Sequence, residues 1–364
     1  MTLSQKQTES RPGFPLRQPE NDSAAPAQDV ADLYRHYRSY AFAVAYRMLG
    51  SAADAEDVVQ ELFAELSHKL PAALRNPKSY VARAAANRCL NLLNSARGRR
   101  ERYIGDWLPE PVDETALGPE EAAVRGDTLS FAFLVMLDKL NPTERIVFVL
   151  REAFDYPYGE IAEMTEKSES AVRQIFSRTR RKLRSEGPPS ITAESNGADF
   201  DKADAAEEAG RSDRGIGTSE VDGAYRTDKA DKTDGTRAAL LQAFAAAFAA
   251  YDVPGVLRLL GERPMLVADG GGERIRTIVR PMEGRKGVCA LLTSRRLLRQ
   301  AREWTPQIES VNGELQLVYR EEGEARMILM PYTESGGPDG MRIDRIYMVI
   351  GPEKLGSIRS RSGE

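Results

Sequence analysis

Cationic side chains are concentrated in one short stretch of this chain, "SAVRQIFSRTRRKLR", at residues 170–184. Arginine and lysine side chains at this density bind phosphate groups, and serine and glutamine side chains beside them can hydrogen-bond to the edges of bases. The stretch therefore predicts a contact with nucleic acid. The plainer alternative is a solvated helix whose cations complement the dipole at its own C-terminus.

The residues before this stretch predict the elements that would position it. Asn141 is a suitable helix cap, Pro142 follows at the first helical position, and Glu144 can bond back to the cap. A second short helix is predicted over "YGEIAEMT", and the connection "EKS" ends at Ser168, which can cap a third helix. Short helices followed by a capped, cationic helix are typical of a helix-turn-helix.

Helical spacing divides this third helix into two faces. The stripe that we expect to pack inward consists of Val172, Phe176, Thr179 and Leu183. The candidate DNA-binding residues on the opposite face and its flanks are Ser170, Arg173, Gln174, Ser177, Arg178, Arg180 and Arg181. Because a helix-turn-helix places early residues of its second helix in the major groove and later cations on phosphates, this segregation favours DNA binding.

An earlier helical block covers residues 30–102. Two helices are predicted on either side of Gly50, and Ser51 is placed to cap the second one. Acidic side chains line the exposed side of that second helix: Asp54, Glu56, Asp57, Glu61 and Glu65. An acidic face of this kind is suited to a basic protein partner.

A third helix in the same block begins at "NPKSY" and carries a polar stripe. Arg83, Asn87 and Asn91 belong to the stripe, and the aromatic Tyr80 lies near its start. Amide side chains, an aromatic ring and a basic end can bind exposed bases by hydrogen bonds and stacking. Three ordinary core helices would explain most of the same pattern.

The whole chain is acidic, with a formal net charge of −4 over 364 residues, so any contact with nucleic acid must be local. The two cysteines, Cys89 and Cys289, form no metal-binding or redox motif, which indicates a reducing compartment and no metal or other cofactor. The N-terminal residues lack an apolar signal core, and no apolar run reaches the length of about eighteen residues that spans a membrane. We therefore expect a cytoplasmic protein without a membrane partner.

Composition and periodicity divide the chain into segments. The last third combines helical spacing in "LLQAFAAAFAAYDVPGVLRLL" with alternating runs such as "QLVYREE" and "ARMILMPY", which predicts a small α+β domain. The predicted order is a disordered tail (1–29), a helical domain (30–102), a proline-containing linker (103–121), a second helical domain (122–185), a disordered acidic linker (186–236), the α+β domain (237–358) and a tail (359–364). The expected fold is thus multidomain, with two all-α domains followed by one α+β domain.

Both helical blocks resemble a known family. "YRMLGSAADAEDVVQELF", "NPKSYVARAAANRCLNLLNSAR" and the helix-turn-helix resemble regions 2 and 4 of sigma-70 family factors of the extracytoplasmic-function group, over roughly residues 30–185. "WLPEP" at 107–111 and "DGGG" at 269–272 are similar to motifs of a subgroup with a fused C-terminal SnoaL-like domain, and "GPEKL" at 351–355 resembles a diverged third motif. The resemblance implies that residues 237–358 form a curved sheet closed by helices into a cone.

The resemblance implies roles for the matching residues, with core RNA polymerase and promoter DNA, both duplex and melted, as partners. The residues that would dock on the β′ clamp helices of the polymerase are Asp54, Glu56, Asp57, Val58, Gln60 and Glu61. The residues that would hold the melted −10 strand are Tyr80, Arg83, Asn87, Arg88 and Asn91. The helix-turn-helix residues named above would read the −35 element.

The resemblance further implies that the C-terminal domain regulates the sigma-like part through the two short motifs. The residues of this regulatory contact are Trp107, Leu108, Pro109, Asp269, Gly270, Gly271 and Gly272. A small-molecule ligand in the cone is a further alternative. We do not expect an enzyme, because both histidines, His36 and His68, lie outside this domain. The remaining catalytic arrangement would use Asp269, Asp344, Arg274 and Arg276.

Three functions remain at this point. The favoured one is a sigma factor that directs promoter-specific transcription initiation. The first alternative is a helix-turn-helix regulator that binds duplex DNA without polymerase. The second is a SnoaL-like enzyme fused to a DNA-binding module. The acidic second helix and the polar third helix of the first block speak for the sigma factor, since a duplex-binding regulator requires neither.

Overall fold

The structure is a computed structural model, and it describes most of the chain. The described residues are 29–70, 74, 76–100, 107–113, 130–186, 223–269, 280–296, 298–333 and 341–358. Residues 1–28 and 359–364 of the expected tails, residues 187–222 of the expected linker, and three residues of the predicted regulatory contact, Gly270, Gly271 and Gly272, lie outside them.

The first helical group consists of α1 (Val30–Leu49), α2 (Ala52–His68) and α3 (Pro77–Arg100). The predicted joint between α1 and α2 is confirmed, because Gly50 has a φ of 68° and the Ser51 hydroxyl accepts a bond from the Asp54 N–H at 3.1 Å. A glycine is suited to this left-handed conformation. Asn76 caps α3 by accepting from the Ser79 N–H at 3.0 Å.

The second helical group consists of α4 (Phe131–Asp138), α5 (Pro142–Phe148), α6 (Tyr158–Thr165) and α7 (Glu169–Glu186), and α5 continues into a π-helical turn (Val149–Ala153). The predicted capping box is confirmed, since the Glu144 N–H donates to Asn141 Oδ1 at 2.9 Å and the Asn141 N–H donates to Glu144 Oε2 at 3.1 Å. Ser168 caps α7 through the Ala171 N–H at 3.2 Å. The helix-turn-helix therefore has the predicted elements.

The two helical groups pack on each other around one continuous hydrophobic core. The cause is α1, in which every residue from Tyr40 to Leu49 is buried. A helix that is buried on all sides needs partners on all sides, and α2, α3 and the second group supply them. Polar contacts join the groups as well: the hydroxyls of Tyr40 and Tyr156 lie 2.8 Å apart, and Arg145 Nη1 donates to the Met48 carbonyl at 2.8 Å.

The C-terminal domain combines helices with a mixed sheet. Its helices are α8 (Gly223–Ala249), α9 (Val253–Leu259) and α10 (Arg285–Leu292), and its strands are β1 (Leu260–Asp269), β2 (Met282–Glu283), β3 (Thr305–Val311), β4 (Glu314–Glu321), β5 (Glu324–Thr333) and β6 (Ile343–Val349). Within the described residues the order is β2-β1-β6-β5-β4-β3, and β1 and β6 are parallel whereas the other neighbours are antiparallel. The α+β expectation for this domain is confirmed.

Helix α8 begins earlier than expected, inside the segment that we predicted to be a disordered linker up to residue 236. Its packed part includes Leu241, Phe244 and Phe248, all fully buried. A helix nucleated by such packing extends towards its N-terminus at low cost until a breaker intervenes, and no proline occurs between residues 223 and 249. Low hydrophobicity alone was therefore a poor guide to the end of the linker.

The two faces of the sheet contact different parts of the molecule. One face packs under α8, α9 and α10 in an apolar core that includes Leu266, Met327 and Ile346. The other face packs against Leu108 of the linker and Phe131 of α4. Other residues of α4, Phe133, Leu134, Met136 and Leu137, belong to the core of the helical groups, so this short apolar helix joins the C-terminal domain to the rest of the molecule.

We expect the Tyr40 and Tyr156 hydroxyls to stabilise the contact between the helical groups jointly. Burial, followed by the bond to Tyr156, raises the pKa of Tyr40, so this hydroxyl stays protonated at neutral pH. In a double-mutant cycle, Tyr40→Phe and Tyr156→Phe should show a coupling energy of about 0.5–1.5 kcal/mol in urea unfolding followed by tryptophan fluorescence. Tyr80→Phe, at an exposed tyrosine, is the control and should leave stability unchanged. Strictly additive effects of the two core variants would contradict the prediction.

Candidate nucleic-acid interfaces

The exposed face of α7 carries most of the side chains predicted to bind DNA. Ser170, Arg173, Gln174, Ser177, Arg178 and Arg181 are exposed, and Arg180 is half-buried. The predicted inward stripe is confirmed, because Val172, Phe176, Thr179 and Leu183 are all buried. The helix is held in place by α5 and α6. This arrangement leaves one polar and cationic surface available to a groove.

Two contacts fix Arg173 on that surface. Its Nη2 atom donates to Glu169 Oε1 at 2.7 Å, one helical turn earlier. Its guanidinium also lies over the ring of Tyr158, the first residue of α6, at 4.6 Å from the ring centroid. The arginine is thus oriented by both helices of the helix-turn-helix, although its side chain remains 42% exposed.

A cleft of about 430 Å³ lies between α2 and α3. It brings together all the residues predicted to hold the −10 strand: Tyr80, Arg83, Asn87, Arg88 and Asn91. The facing wall on α2 includes Leu62, Glu65 and Lys69. Arg88 is tethered across the cleft to the Glu65 carboxylate, and its Nη1 atom donates to the Ala84 carbonyl at 3.0 Å. Amides, cations and an aromatic ring therefore converge on one concave surface.

The acidic face of α2 is exposed at Asp54, Asp57, Gln60 and Glu61, and half-buried at Glu56. Glu56 accepts a bond from Arg38 of α1 at 3.2 Å. Val58 is an exception among the residues predicted to bind polymerase, because its side chain is fully buried in the helical core. The spacing of α2 places Val58 on its inward face, so this residue supports the helix and does not belong to the exposed surface.

The predicted contact between the linker and the C-terminal domain is present through Leu108 and Asp269. The Leu108 N–H donates to Asp269 Oδ2 at 2.9 Å. Lys354 completes the contact: its ammonium group donates to Asp269 Oδ2 and to the Leu108 carbonyl, and it lies 4.5 Å from the centroid of the Trp107 ring. Asp269 and Lys354 are both buried, so this is a desolvated ion pair with its hydrogen bonds satisfied.

The next linker residues contact the start of α2. The Glu110 carboxylate accepts from the Ala52 N–H at 2.7 Å and from the Ser51 hydroxyl at 3.0 Å. Its own N–H donates to the Gly50 carbonyl at 2.8 Å. A carboxylate at this position complements the positive end of the helix dipole. Trp107 covers Gly50 so closely that a β-carbon there would lie 2.8 Å from the ring.

A third contact joins the linker to the turn between β3 and β4. The Val112 N–H donates to Asn312 Oδ1 at 3.1 Å, and the Asn312 N–H donates to the Val112 carbonyl at 3.0 Å. Asn312 Nδ2 also donates to the hydroxyl of Tyr46 in α1 at 2.8 Å, and that hydroxyl bonds to the Glu110 carbonyl. The C-terminal domain therefore contacts the first helical group as well as the linker.

Sequence reasoning missed several of these residues. Lys354 lies in "GPEKL", which differs from the usual motif, and nothing in this string indicates that its lysine makes the contact. Asn312 lies in "VNGE", which has the ordinary signature of a hairpin turn and a φ of 53°. The sequence predicts a helix that begins at Tyr158, but no sequence pattern indicates the contact of Tyr158 with Arg173.

The catalytic arrangement considered for the C-terminal domain does not assemble among the described residues. Asp269 accepts a hydrogen bond from Leu108 and forms an ion pair with Lys354, on the linker side of the sheet. Asp269 pairs with Val349, five positions along β6 from Asp344, so the α-carbons of the two aspartates are offset by roughly 16 Å along the strands. Arg274 and Arg276 lie outside the described residues.

Within the part of the chain that the structure describes, no helix combines the length and the apolar character needed to cross a bilayer.

Comparison with known proteins identifies the two helical groups. Residues 33–99 match the family model "Sigma-70 region 2", and residues 130–183 match "Sigma-70, region 4". The ECF RNA polymerase sigma factor SigJ of Mycobacterium tuberculosis is 39% identical over 146 residues, which are 40% of this chain and 46% of that protein. A probable ECF RNA polymerase sigma factor of the same species, SigI, is 34% identical over 156 residues, or 42% of this chain and 54% of that protein.

The chain thus spans about half the length of the curated relatives it matches. The crystal structure of the extracytoplasmic function sigma factor SigJ from Mycobacterium tuberculosis is similar over more of the chain. It has a TM-score of 0.62 and 24% identity, and the match covers 92% of this chain and all of that one. This likeness concerns the fold, including the C-terminal domain. Residues 33–99 and 130–183 of this chain are thus similar to regions 2 and 4 of sigma-70 factors, and the relatives that match them are ECF sigma factors.

Proposed function

We propose that this protein is a sigma factor that binds core RNA polymerase and directs promoter-specific transcription initiation. The cleft between α2 and α3 carries the proposal, because it gathers Tyr80, Arg83 and Asn87 on one concave surface. Aromatic, amide and cationic groups together suit unpaired bases and a phosphate backbone. A regulator that reads only duplex DNA has no use for such a cleft, so this site favours the sigma factor over that alternative.

Helix α7 supplies the second DNA contact in this proposal. Its early residues Arg173, Gln174 and Ser177 would meet base edges of the −35 element in the major groove, and later cations such as Arg178 and Arg181 would contact phosphates. Their exposure on one face of a well-anchored helix supports this role. Each contact with duplex phosphate should make promoter binding more sensitive to salt, with a log–log slope of about −0.9 per contact.

The acidic face of α2 is the surface that we assign to the polymerase. Asp54, Asp57 and Glu61 are exposed along it and would meet the β′ clamp helices. Charge complementarity of this kind speeds association and suppresses wrong partners. The net charge of −4 also works against indiscriminate DNA binding, so the polymerase would bring both DNA-reading surfaces to one promoter.

We further propose that the C-terminal domain modulates this activity through the linker. Asp269 and Lys354 hold Leu108, and the same linker places Glu110 on the first turn of α2, the helix assigned to the polymerase. Displacement of the domain would therefore change the environment of the polymerase-binding helix. The described part of the domain has an apolar core on one face of its sheet and packs on the linker with the other face, which favours a docking module over an enzyme.

Run-off transcription with purified core polymerase tests the proposal directly. The template should be a library of duplexes randomised over both promoter elements, each with a transcribed barcode that identifies its promoter, and the transcripts should be sequenced. If the protein is a sigma factor, core polymerase will initiate from promoters that share sequence upstream of the start site when the protein is added, and will not do so when the protein is left out. Failure to initiate with core, combined with specific binding to duplex DNA alone, would support the polymerase-independent regulator instead.

Replacing Tyr80 should impair promoter opening. Loss of a base–aromatic stack costs about 1–3 kcal/mol, so we expect Tyr80→Ala to lower open-complex formation by roughly 5- to 150-fold. Permanganate reactivity of unpaired thymines measures the melted segment. Tyr34→Ala is the matched control, because Tyr34 is similarly exposed and does not line the cleft. Equal loss in both variants would show that the cleft has no special part in melting.

Breaking the buried ion pair should release the linker. Lys354→Met leaves the Asp269 carboxylate buried without its cation, which destabilises the docked arrangement by about 3–5 kcal/mol. We expect faster protease cleavage near Trp107 and higher run-off output, because the α2 end is no longer covered. The control is Arg326→Ala, which breaks the exposed pair with Glu321 and should change neither readout. Unchanged output after the linker has been released would contradict modulation by the domain.

A further inference from the structure

We propose that Tyr158 is a positioning residue for promoter recognition: it orients Arg173 and thereby sets a base preference at the −35 element without reading the base itself. This inference rests on the proposed function, because it concerns the same face of α7. It adds a determinant that lies outside that helix, at the first position of α6.

Two guanidinium groups lie over the ring of Tyr158. The Arg173 Cζ atom is 4.6 Å from the ring centroid, and the Arg151 Cζ atom is 4.7 Å from it. The attraction between a cation and an aromatic face amounts to about 0.5–1 kcal/mol at an exposed site and more where water is excluded. The ring thus links the π-helical turn that contains Arg151 to the DNA-facing helix.

The ring itself is firmly held. Tyr158 is only 8% exposed, and its ring makes an edge-on contact with Phe176 at 5.9 Å between centroids. Phe176 in turn stacks on Phe148 of α5 at 5.7 Å. Arg151 is anchored on its own side by bonds from Nη1 to the Tyr156 carbonyl at 3.1 Å and to Asp155 at 3.3 Å. A fixed ring of this kind can serve as a reference surface for a longer, more mobile side chain.

Arg173 has the opposite properties. Its side chain is 42% exposed and lies next to Gln174 on the face assigned to the major groove. An arginine at such a site otherwise samples many rotamers, and ordering it on DNA reduces affinity by roughly 2- to 10-fold. The contacts of Arg173 with the Tyr158 ring and with Glu169 reduce this ordering cost, because they hold the guanidinium in one orientation before DNA binds.

The test compares Tyr158→Leu, which removes the ring, with Tyr158→Phe, which keeps it. Each full-length variant is combined with core polymerase, and base preferences are read from run-off transcripts of the randomised library. We expect Tyr158→Phe to give the wild-type profile. Tyr158→Leu should lower the preference about 2- to 10-fold at the base pair that Arg173→Ala affects, and leave the other positions unchanged.

A double variant separates positioning from a general structural role. If Tyr158 acts through Arg173, then Tyr158→Leu will cause no further change in the Arg173→Ala background. Additional loss at all positions in that background would overturn the inference, as would an unchanged profile in Tyr158→Leu or in Arg173→Ala. If the wild-type protein yields no core-dependent transcripts, the proposed function fails first and this inference fails with it.

A measurement on the free protein keeps the structural step testable by itself. The NMR order parameter of the Arg173 Nε–H group should be high in the wild type and in Tyr158→Phe, and should fall in Tyr158→Leu. Tyr158→Met fills the same space with a flexible side chain and replaces the leucine variant if that variant does not fold. An equally ordered Arg173 without the ring would overturn the inference.

Discussion

The buried ion pair between Lys354 and Asp269 is the constraint on which the arrangement of this molecule depends. Both groups lie away from water, so each needs the other, and the Leu108 backbone supplies the remaining partners. A desolvated pair of this kind contributes little net stability compared with an apolar contact, but separating its two members is costly because each is then buried without its counter-charge. The linker is therefore held in one register, in which Glu110 reaches the first turn of α2 and Val112 meets the turn between β3 and β4.

Helix α1 imposes the second constraint. Its run of buried residues places both helical groups in one core, and Tyr46 and Arg47 show how polar groups are accommodated there. Tyr46 bonds to Asn312 and Glu110, and the Arg47 guanidinium lies 4.7 Å from the centroid of the Phe154 ring. In this state the cleft and the face of α7 belong to one packed body. If both surfaces read DNA, as we propose, their joint affinity depends on whether the spacing set by this core matches the spacing of the two promoter elements.

Local physics explains which parts of this structure could be predicted from sequence. Caps such as Asn141 and Ser51 act within one turn of their own helix, and the inward stripe of α7 follows from its spacing. Both features can therefore be predicted from the sequence. Contacts between distant segments were not, because nothing in the residues around Lys354, Asn312 or Tyr158 specifies a partner far along the chain. The shared core is an intermediate case: the mostly apolar stretch "YAFAVAYRML" is compatible with a helix buried on all sides, but nothing in it specifies that the second helical group covers it.

The position of Glu110 connects the acidic face of α2 to the linker on which the C-terminal domain is docked. Its carboxylate satisfies the Ala52 N–H at the start of α2, a donor that no residue within the helix can satisfy. It also adds negative charge beside Asp54, on the surface assigned to the polymerase. A partner that binds the acidic face of α2 more tightly when Glu110 is in place also stabilises the docked linker. A partner that binds more tightly when Glu110 is displaced destabilises the docked linker. In each case the two effects are equal in free energy. Displacing the C-terminal domain therefore changes the affinity of α2 for such a partner. The affinity rises if the partner prefers Glu110 released from α2, and it falls if the partner prefers Glu110 bound there.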